Sequence, residues 1–260
     1  MSDSAIDLRL GRWQDVLADV GEVDALITDP PYSERTDKGF RTGHSGCGNG
    51  GFRVEDIGYE PIDAEYCHAF VKSWVPRVKR WFVVFGDHIT NAYWLAALHD
   101  AGLYTFPPVP WVKIDGAPRY MGDGPSSQSE WIAIARHRVR LPTRYRAGVY
   151  RTTIVTGNSK ESIVTGQKPL HLMAAIVRDY SEPGELVCDP HAGGGTTLLA
   201  AAIEGRRAIG AEMDPGTHAK ALKRIARGYT PTLFDLSTPR TVPEQASLFT
   251  TAAVDEDPSP

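Results

Sequence analysis

VCDPHAGGGTTLLAAA, Val187 to Ala202, reads as strand, glycine turn and helix in immediate succession. ELVCD (185–189) is a short apolar run ended by an acid and a proline, the pattern of a buried strand. Glycines 193, 194 and 195 let the backbone come close to a ligand, and the helix predicted over 196–205 offers unpaired N–H groups at its start. RRAIGAEM (206–213) predicts the next strand, and Glu212 at its end stands about 17 residues after Gly195. An acid in that place can bind ribose hydroxyls, as in dinucleotide folds. The turn alone also reads as a tight strand-to-helix connection with no ligand. Asp189 before it and Glu212 after it favour a nucleoside-bearing ligand.

The same alternation extends along the chain. DALIT (24–28), WFVVFG (81–86) and EWIAIAR (130–136) read as strands, rich in β-branched and aromatic residues. Residues 64–80, 92–102, 170–180 and 218–228 carry apolar residues at helical spacing, with Gly102 suited to a C-cap. Strands alternating with helices predict a parallel, helix-covered sheet, hence an α/β fold. Residues 33–60 hold seven glycines between Gly39 and Gly58 and read as a mobile loop, while 229–260, rich in Pro, Thr and acids, reads as a disordered tail. The domain is therefore expected over 1–228.

A second stretch, LITDPPYS (Leu26–Ser33), ends a buried strand on a carboxylate, forbids regular structure with two prolines and presents a ring. Asp29 can simply cap a turn, Pro30 and Pro31 can merely end a strand, and Tyr32 can be packing. The alternative is a stiff, pre-placed set of acceptors beside an aromatic face.

Composition sets limits. The chain has 260 residues with 42% hydrophobic content, enough for one substantial core. No apolar run is long enough to cross a bilayer, and MSDSAIDLRLGRW has no apolar core of signal-peptide type. Cys47, Cys67 and Cys188 share no metal-like spacing and read as reduced thiols of a cytoplasmic protein, with no metal expected. The net charge is -4, and the tail accounts for it: Asp235, Glu244, Asp255, Glu256 and Asp257 stand against Arg240 alone. The body is near neutral and concentrates Arg136, Arg138, Arg140, Arg144, Arg146 and Arg151 in one acid-free segment. Such a cluster is either a solvated basic face or a contact for phosphates.

The two motifs together resemble the DNA amino-methyltransferases, which modify N6 of adenine or N4 of cytosine. DPPY (29–32) resembles that family's catalytic motif, and DPHAGGGTT (189–197) resembles its DPFxGSGTT cofactor motif. GQKPLHLMAAIV, from Gly166, is similar to the QKP segment that precedes the cofactor motif. Catalytic motif first and cofactor motif second is the order of the circularly permuted β class, and the resemblance covers about residues 8–227. It implies a Rossmann-like methyltransferase fold and S-adenosylmethionine as cofactor. The cofactor side is expected to involve Lys168, Asp189, His191, Gly193, Gly195, Thr196 and Glu212. His191 stands where the family usually has Phe, Gly194 where it has Ser, and Arg12 where an acid is common.

The resemblance also implies a chemistry for Asp29, Pro30, Pro31 and Tyr32. An exocyclic amine conjugated to a base is a poor nucleophile, because its lone pair is delocalised. Acceptors aimed at its N–H groups, from Asp29 and the Pro30 carbonyl, favour it as it becomes tetrahedral. Tyr32 can stack on a base rotated out of the duplex. The methyl then transfers directly to nitrogen. DPPY leans to adenine within the family, and cytosine N4 is the alternative. C5 methylation is disfavoured, since none of the three cysteines follows a proline. A catalytically idle DNA-binding module and a nicotinamide-dependent oxidoreductase are the rivals from other classes. The intact DPPY argues against the first and the TT after the glycines against the second.

Target recognition is expected in a small insert, about 137–165, with Arg138, Arg140, Arg144, Arg146 and Arg151 as DNA-contacting residues. In the tail, Gln245, Leu248 and Phe249 of PEQASLF have the Q-x-x-L-F spacing of peptides that dock on the bacterial replication sliding clamp. The whole reads as a stand-alone bacterial or phage modification enzyme acting on double-stranded DNA, with or without a separate restriction partner.

Overall fold

The computed structural model describes residues 5–33, 62–116, 125–138, 144–155 and 162–228, all within one compact unit, Met1–Tyr229. The glycine-rich loop after Ser33, Arg140, the tail and Gln245–Phe249 lie outside the described residues.

A nine-stranded sheet forms the middle layer. Its strands are β1 (Ile6–Leu10), β2 (Val23–Thr28), β3 (Val78–Gly86), β4 (Tyr104–Thr105), β5 (Val109–Lys113), β6 (Ser129–Arg136), β7 (Tyr150–Thr152), β8 (Leu186–Asp189) and β9 (Arg207–Glu212). The order across the sheet is β1-β9-β8-β2-β3-β6-β5-β7, with β4 beside β6. Period-two alternation divides the central strands between two cores. Ala25 and Ile27, Trp81, Val83 and Phe85, and Ile132 and Ile134 face one side. Leu26, Phe82, Val84, Ala133 and Ala135 face the other. Both faces are buried, which is why these strands read as continuous apolar runs.

Helices cover each face. On the first lie α4 (Leu170–Tyr180) and α5 (Thr196–Ile203). On the second lie α1 (Trp13–Val16), α2 (Ala64–Trp74) and α3 (Thr90–Asp100). Fully buried Phe70, Trp74 and Trp94 anchor the second layer, each large apolar side chain contributing roughly 2–3 kcal/mol of burial. The last helix, α6 (Pro215–Arg227), is capped by Asp214, whose carboxylate accepts the Thr217 N–H at 2.6 Å, with Pro215 in the first turn.

Three expectations are corrected. The helix predicted over 64–80 ends at Trp74, because Pro76 cannot continue it and Val78–Arg80 are already β3. The last helix starts at Pro215 rather than 218. The sheet is mixed: β6 runs antiparallel to β3, β4 and β5. A parallel return needs a crossover, usually a helix, and no helix stands between β5 and β6 among the described residues.

The remaining topology places the site. From β8 the chain crosses by α5 to β9 on one side, and from β2 it runs by α2 to β3 on the other. β2 and β8 are parallel neighbours. Their carboxyl ends therefore flank the switch point of a doubly wound sheet, where such folds open a crevice.

Candidate active site

Both sequence motifs arrive at that switch point. Asp29 follows Thr28, the last residue of β2, and Asp189 is the last residue of β8. The Thr28 hydroxyl donates to Asp189 Oδ1 at 2.7 Å and ties the two strand ends together.

On the β2 side, Asp29 is held at both oxygens. Lys168 Nζ lies 2.5 Å from Oδ2, and the Tyr32 hydroxyl lies 3.0 Å from Oδ1. Glu130, from the start of β6, completes the group, 2.5 Å from the same hydroxyl and 3.2 Å from Lys168 Nζ. Lys113 of β5 adds a second cation, 2.7 Å from Glu130 Oε1. Burial pushes the Asp29 carboxyl up, Lys168 opposes this, and the Glu130 charge adds to it, with a raised net result. Burial also pushes Glu130 up, but Lys168 and Lys113 outweigh it and hold Glu130 below the ordinary range. A single hydroxyl hydrogen on Tyr32 serves one carboxylate at a time, so the raised Asp29 carboxyl and the ionised Glu130 fit this geometry together.

Behind this corner Asp87 fixes the turn. It follows β3, takes the N–H groups of Ile89 at 3.0 Å and Thr90 at 2.7 Å at the start of α3, and takes both the N–H and the hydroxyl of Ser33. One buried carboxylate thus starts a helix and anchors the residue after Tyr32.

On the β8 side, Gly195 has φ of 72° at the start of α5, a left-handed conformation that suits glycine. Arg224 of α6 clamps the turn from outside, donating to the Gly194 carbonyl at 2.9 Å and the Thr196 hydroxyl at 2.7 Å. A Cβ on Gly194 would sit 3.1 Å from Gln167 Oε1 and 3.2 Å from Ile163 and Val164, so the residue before the QKP lysine packs against this bare backbone. Burial raises Asp189 from 3.8 to about 6 against the opposing hydroxyls of Thr197 and Thr28. Burial raises Glu212 as well, against backbone N–H donors that include Asp214 at 2.7 Å. Both acids meet hydroxyl and N–H donors and no basic side chain among these partners. A ligand with an ammonium group and ribose hydroxyls supplies the missing type of donor, so the residues fit S-adenosylmethionine.

His191 is half-buried in the turn. Its backbone N–H donates to Asp189 Oδ1 at 3.1 Å, its Nδ1 is 3.2 Å from the Thr28 hydroxyl, and its Nε2 is 2.8 Å from the Tyr66 hydroxyl. The ring stacks on Phe70 at 5.4 Å. Burial lowers its pKa to about 3, so the imidazole is neutral. Arg12 is exposed at the start of α1.

Several expectations change here. Lys168, assigned by resemblance to the cofactor side, lies on the Asp29 carboxylate. The arginine cluster is divided. Arg144 is paired with Glu182 at 2.8 Å, and Arg146 donates to the Asp179 carbonyl at 2.8 Å with its guanidinium 4.5 Å from the Trp81 ring centre. Arg138 is exposed beside Tyr104. These three belong to the amino end of β3, since Trp81 pairs with Arg136 while Gly86 pairs with Trp131. Six residues of strand, about 20 Å, separate that end from Glu130. Arg138, Arg144 and Arg146, expected to contact DNA, therefore lie at the opposite end of β3 from Asp29. Exposed Arg151, level with Val112 and one register step from Lys113, is at the site's end.

Glu130, Lys113, Asp87, Tyr66 and Arg224 were not singled out from the sequence. Only Asp87 had a local signal, an acid three residues before Thr90 at a helix start.

Cys67 and Cys188 are buried free thiols, Cys67 pushed up to about 12 by burial. Among the described residues no helix is long and apolar enough to cross a membrane, and no cluster of His, Cys, Asp and Glu could hold a metal.

Residues 23–223 match the family model described as DNA methylase, for the N6 and N4 amino-methylating class. The type II methyltransferase M2.DpnII of Streptococcus pneumoniae is 24% identical over 228 residues, 78% of this chain and 82% of that protein. The type II methyltransferase M.HindIII of Haemophilus influenzae is 42% identical over 59 residues, 23% of this chain and 19% of its own. Among solved structures, the M1.HpyAVI–SAM complex aligns with a TM-score of 0.63 at 23% identity, over 85% of this chain and 98% of that one. The cytosine-N4-specific PvuII DNA methyltransferase aligns with a TM-score of 0.63 at 16% identity, over 84% and 87%. At these identities the two structures speak for the fold alone.

Proposed function

The chain belongs to the DNA methylases of the N6-adenine/N4-cytosine class, and on that premise we propose that it methylates adenine N6 in double-stranded DNA, with S-adenosylmethionine as donor. The observation that carries this reading is the Thr28–Asp189 bond, which sets the DPPY carboxylate beside the cofactor-type turn. Asp189, Glu212 and the turn from His191 to Thr196 are the residues that would hold the cofactor. When bound, it supplies an electrophilic methyl group.

The protein's own groups do the rest. Asp29 and the Pro30 carbonyl accept the N–H groups of the target amine and favour its tetrahedral form. Each carboxylate oxygen accepts more than one hydrogen bond, so Lys168 and Tyr32 can stay while the amine docks. Lys168 keeps Asp29 oriented, and the prolines keep the acceptors stiff, so little reorganisation is needed. The Tyr32 ring offers a face to the extruded base. Asp29 or water takes the released proton.

Adenine is preferred to cytosine because an acid, not a serine, opens the motif; the fold shared with a cytosine-N4 enzyme keeps N4 as the second reading. Transfer of labelled methyl to unmethylated DNA, followed by nucleoside analysis, decides it. N6-methyladenine that disappears in Asp29→Ala supports the proposal. N4-methylcytosine corrects the base, and no methylated base overturns the activity.

A further inference from the structure

We propose that His191 is a positioning residue, the middle of a one-directional hydrogen-bond chain Trp13–Tyr66–His191–Thr28–Asp189 that aims the Asp189 carboxylate into the cofactor turn. The inference rests on the reading of Asp189 as a cofactor-binding acid.

The direction follows from the groups themselves. Trp13 Nε1 only donates, and it lies 3.3 Å from the Tyr66 hydroxyl. Tyr66 accepts there, and its hydrogen is assigned from the other end: ionised Asp189 only accepts, so Thr28 donates to it and takes the ring's Nδ1–H, which leaves a bare Nε2, 2.8 Å from the Tyr66 hydroxyl, to accept. An Nε2 that accepts carries no proton, and a neutral imidazole then has its hydrogen on Nδ1. The half-buried ring stays neutral, in line with its lowered pKa. Nδ1–H points at Thr28 Oγ1, 3.2 Å away, which accepts. The Thr28 hydrogen is left for Asp189 Oδ1 at 2.7 Å, the shorter and charge-assisted bond. Every intermediate group donates once and accepts once.

His191 thus grips Asp189 Oδ1 twice, by its backbone N–H at 3.1 Å and by its ring through Thr28. Thr28 is also the residue before Asp29. The chain consequently joins the first helix, α2, the catalytic strand end and the cofactor turn. A phenyl ring in place of imidazole keeps the stack on Phe70 but leaves Tyr66 and Thr28 without the partner between them.

The test uses the full chain. Long-range proton–nitrogen NMR, with His191 assigned by the signal missing in His191→Phe, should show the Nδ1–H form, unchanged between about pH 6 and 8. Calorimetry with S-adenosylmethionine should show affinity falling about tenfold in both Thr28→Val and His191→Phe, with Thr28→Ser near the parent. The double variant should be no worse than the weaker single variant, as for members of one chain. An Nε2–H signal, or a ring that titrates in this range, would overturn the chain. Affinity unchanged in Thr28→Val would overturn the positioning role. No cofactor binding by the parent protein would remove the reading of Asp189, and the NMR result would still decide the chain by itself.

Discussion

Lys168 Nζ lies 2.5 Å from Asp29 Oδ2, although 139 residues separate them in sequence. The lysine also meets Glu130 at 3.2 Å, so one buried cation is shared by two acids. Removing either neighbour should move the titration of Asp29 in opposite directions. Burial raises its pKa first, the Lys168 charge lowers it and the Glu130 charge raises it. Accepting the amine requires the ionised form, so activity falls as pH drops through this raised value. Lys168→Met should shift the acid limb of the kcat/KM profile to higher pH, and Glu130→Gln should shift it lower. Profiles measured between about pH 5 and 9 check both signs, and two limbs that stay in place would rule out the coupling.

Asp189 sets function against stability. Its pKa is raised from 3.8 to about 6 by burial. The folded form thus favours the neutral acid, an advantage present below 3.8 and lost as pH rises through about 6. The ionised group should cost on the order of 3 kcal/mol at neutral pH. Asp189→Asn keeps the shape, so it should unfold at higher urea than the parent at pH 8. The gap should close near pH 4, while cofactor affinity falls more than tenfold. A gap that does not vary with pH would refute this account.

The arginines should separate into two groups. Arg144→Ala and Arg146→Ala should lower the melting temperature, because Glu182 keeps only the longer contact to Arg80 and the Trp81 face only the more distant Arg136. Neither should change the salt dependence of DNA binding. Arg151→Ala should leave stability alone and reduce the slope of log affinity against log salt by about one. Binding isotherms at several salt concentrations make the comparison.

Gly194 should resist even a small side chain. An added Cβ would press on Gln167 Oε1 at 3.1 Å and on Ile163 and Val164 at 3.2 Å. Gly194→Ser should cost about 1 kcal/mol and lower the melting temperature by about 2–4 °C. Thermal unfolding measures it directly.

What could be read from the chain depended on how local the cause was. β2, β8 and α4 were legible because apolar period, proline and acid lie within a few residues of one another. β1 and the short strands β4 and β7 were not, since IDLRL, YT and YRT form strands only against neighbours supplied by the folded sheet. Asp29, Asp189 and Glu212 stand at strand ends, where pattern and chemistry coincide. Glu130 lies inside SEWIAIAR, and only the antiparallel course of β6 brings it to Tyr32. The same reversal sets the arginines apart from Asp29. A count of positive charge has no direction, and β6 carries Arg136 away from the end that holds Glu130.

The seam between β2 and β8 has a consequence in time. Only Ala25–Val187 and Leu26–Cys188 pair along it, yet they join segments made far apart during synthesis. A nascent chain that has emerged as far as Arg136 already contains Asp29, Tyr32 and Glu130, but neither Lys168 nor the turn after Asp189. Such an intermediate lacks both Asp189 and Glu212. That end of the sheet is complete only when β8 and β9 have been made and the much earlier β2 has accepted β8 beside it.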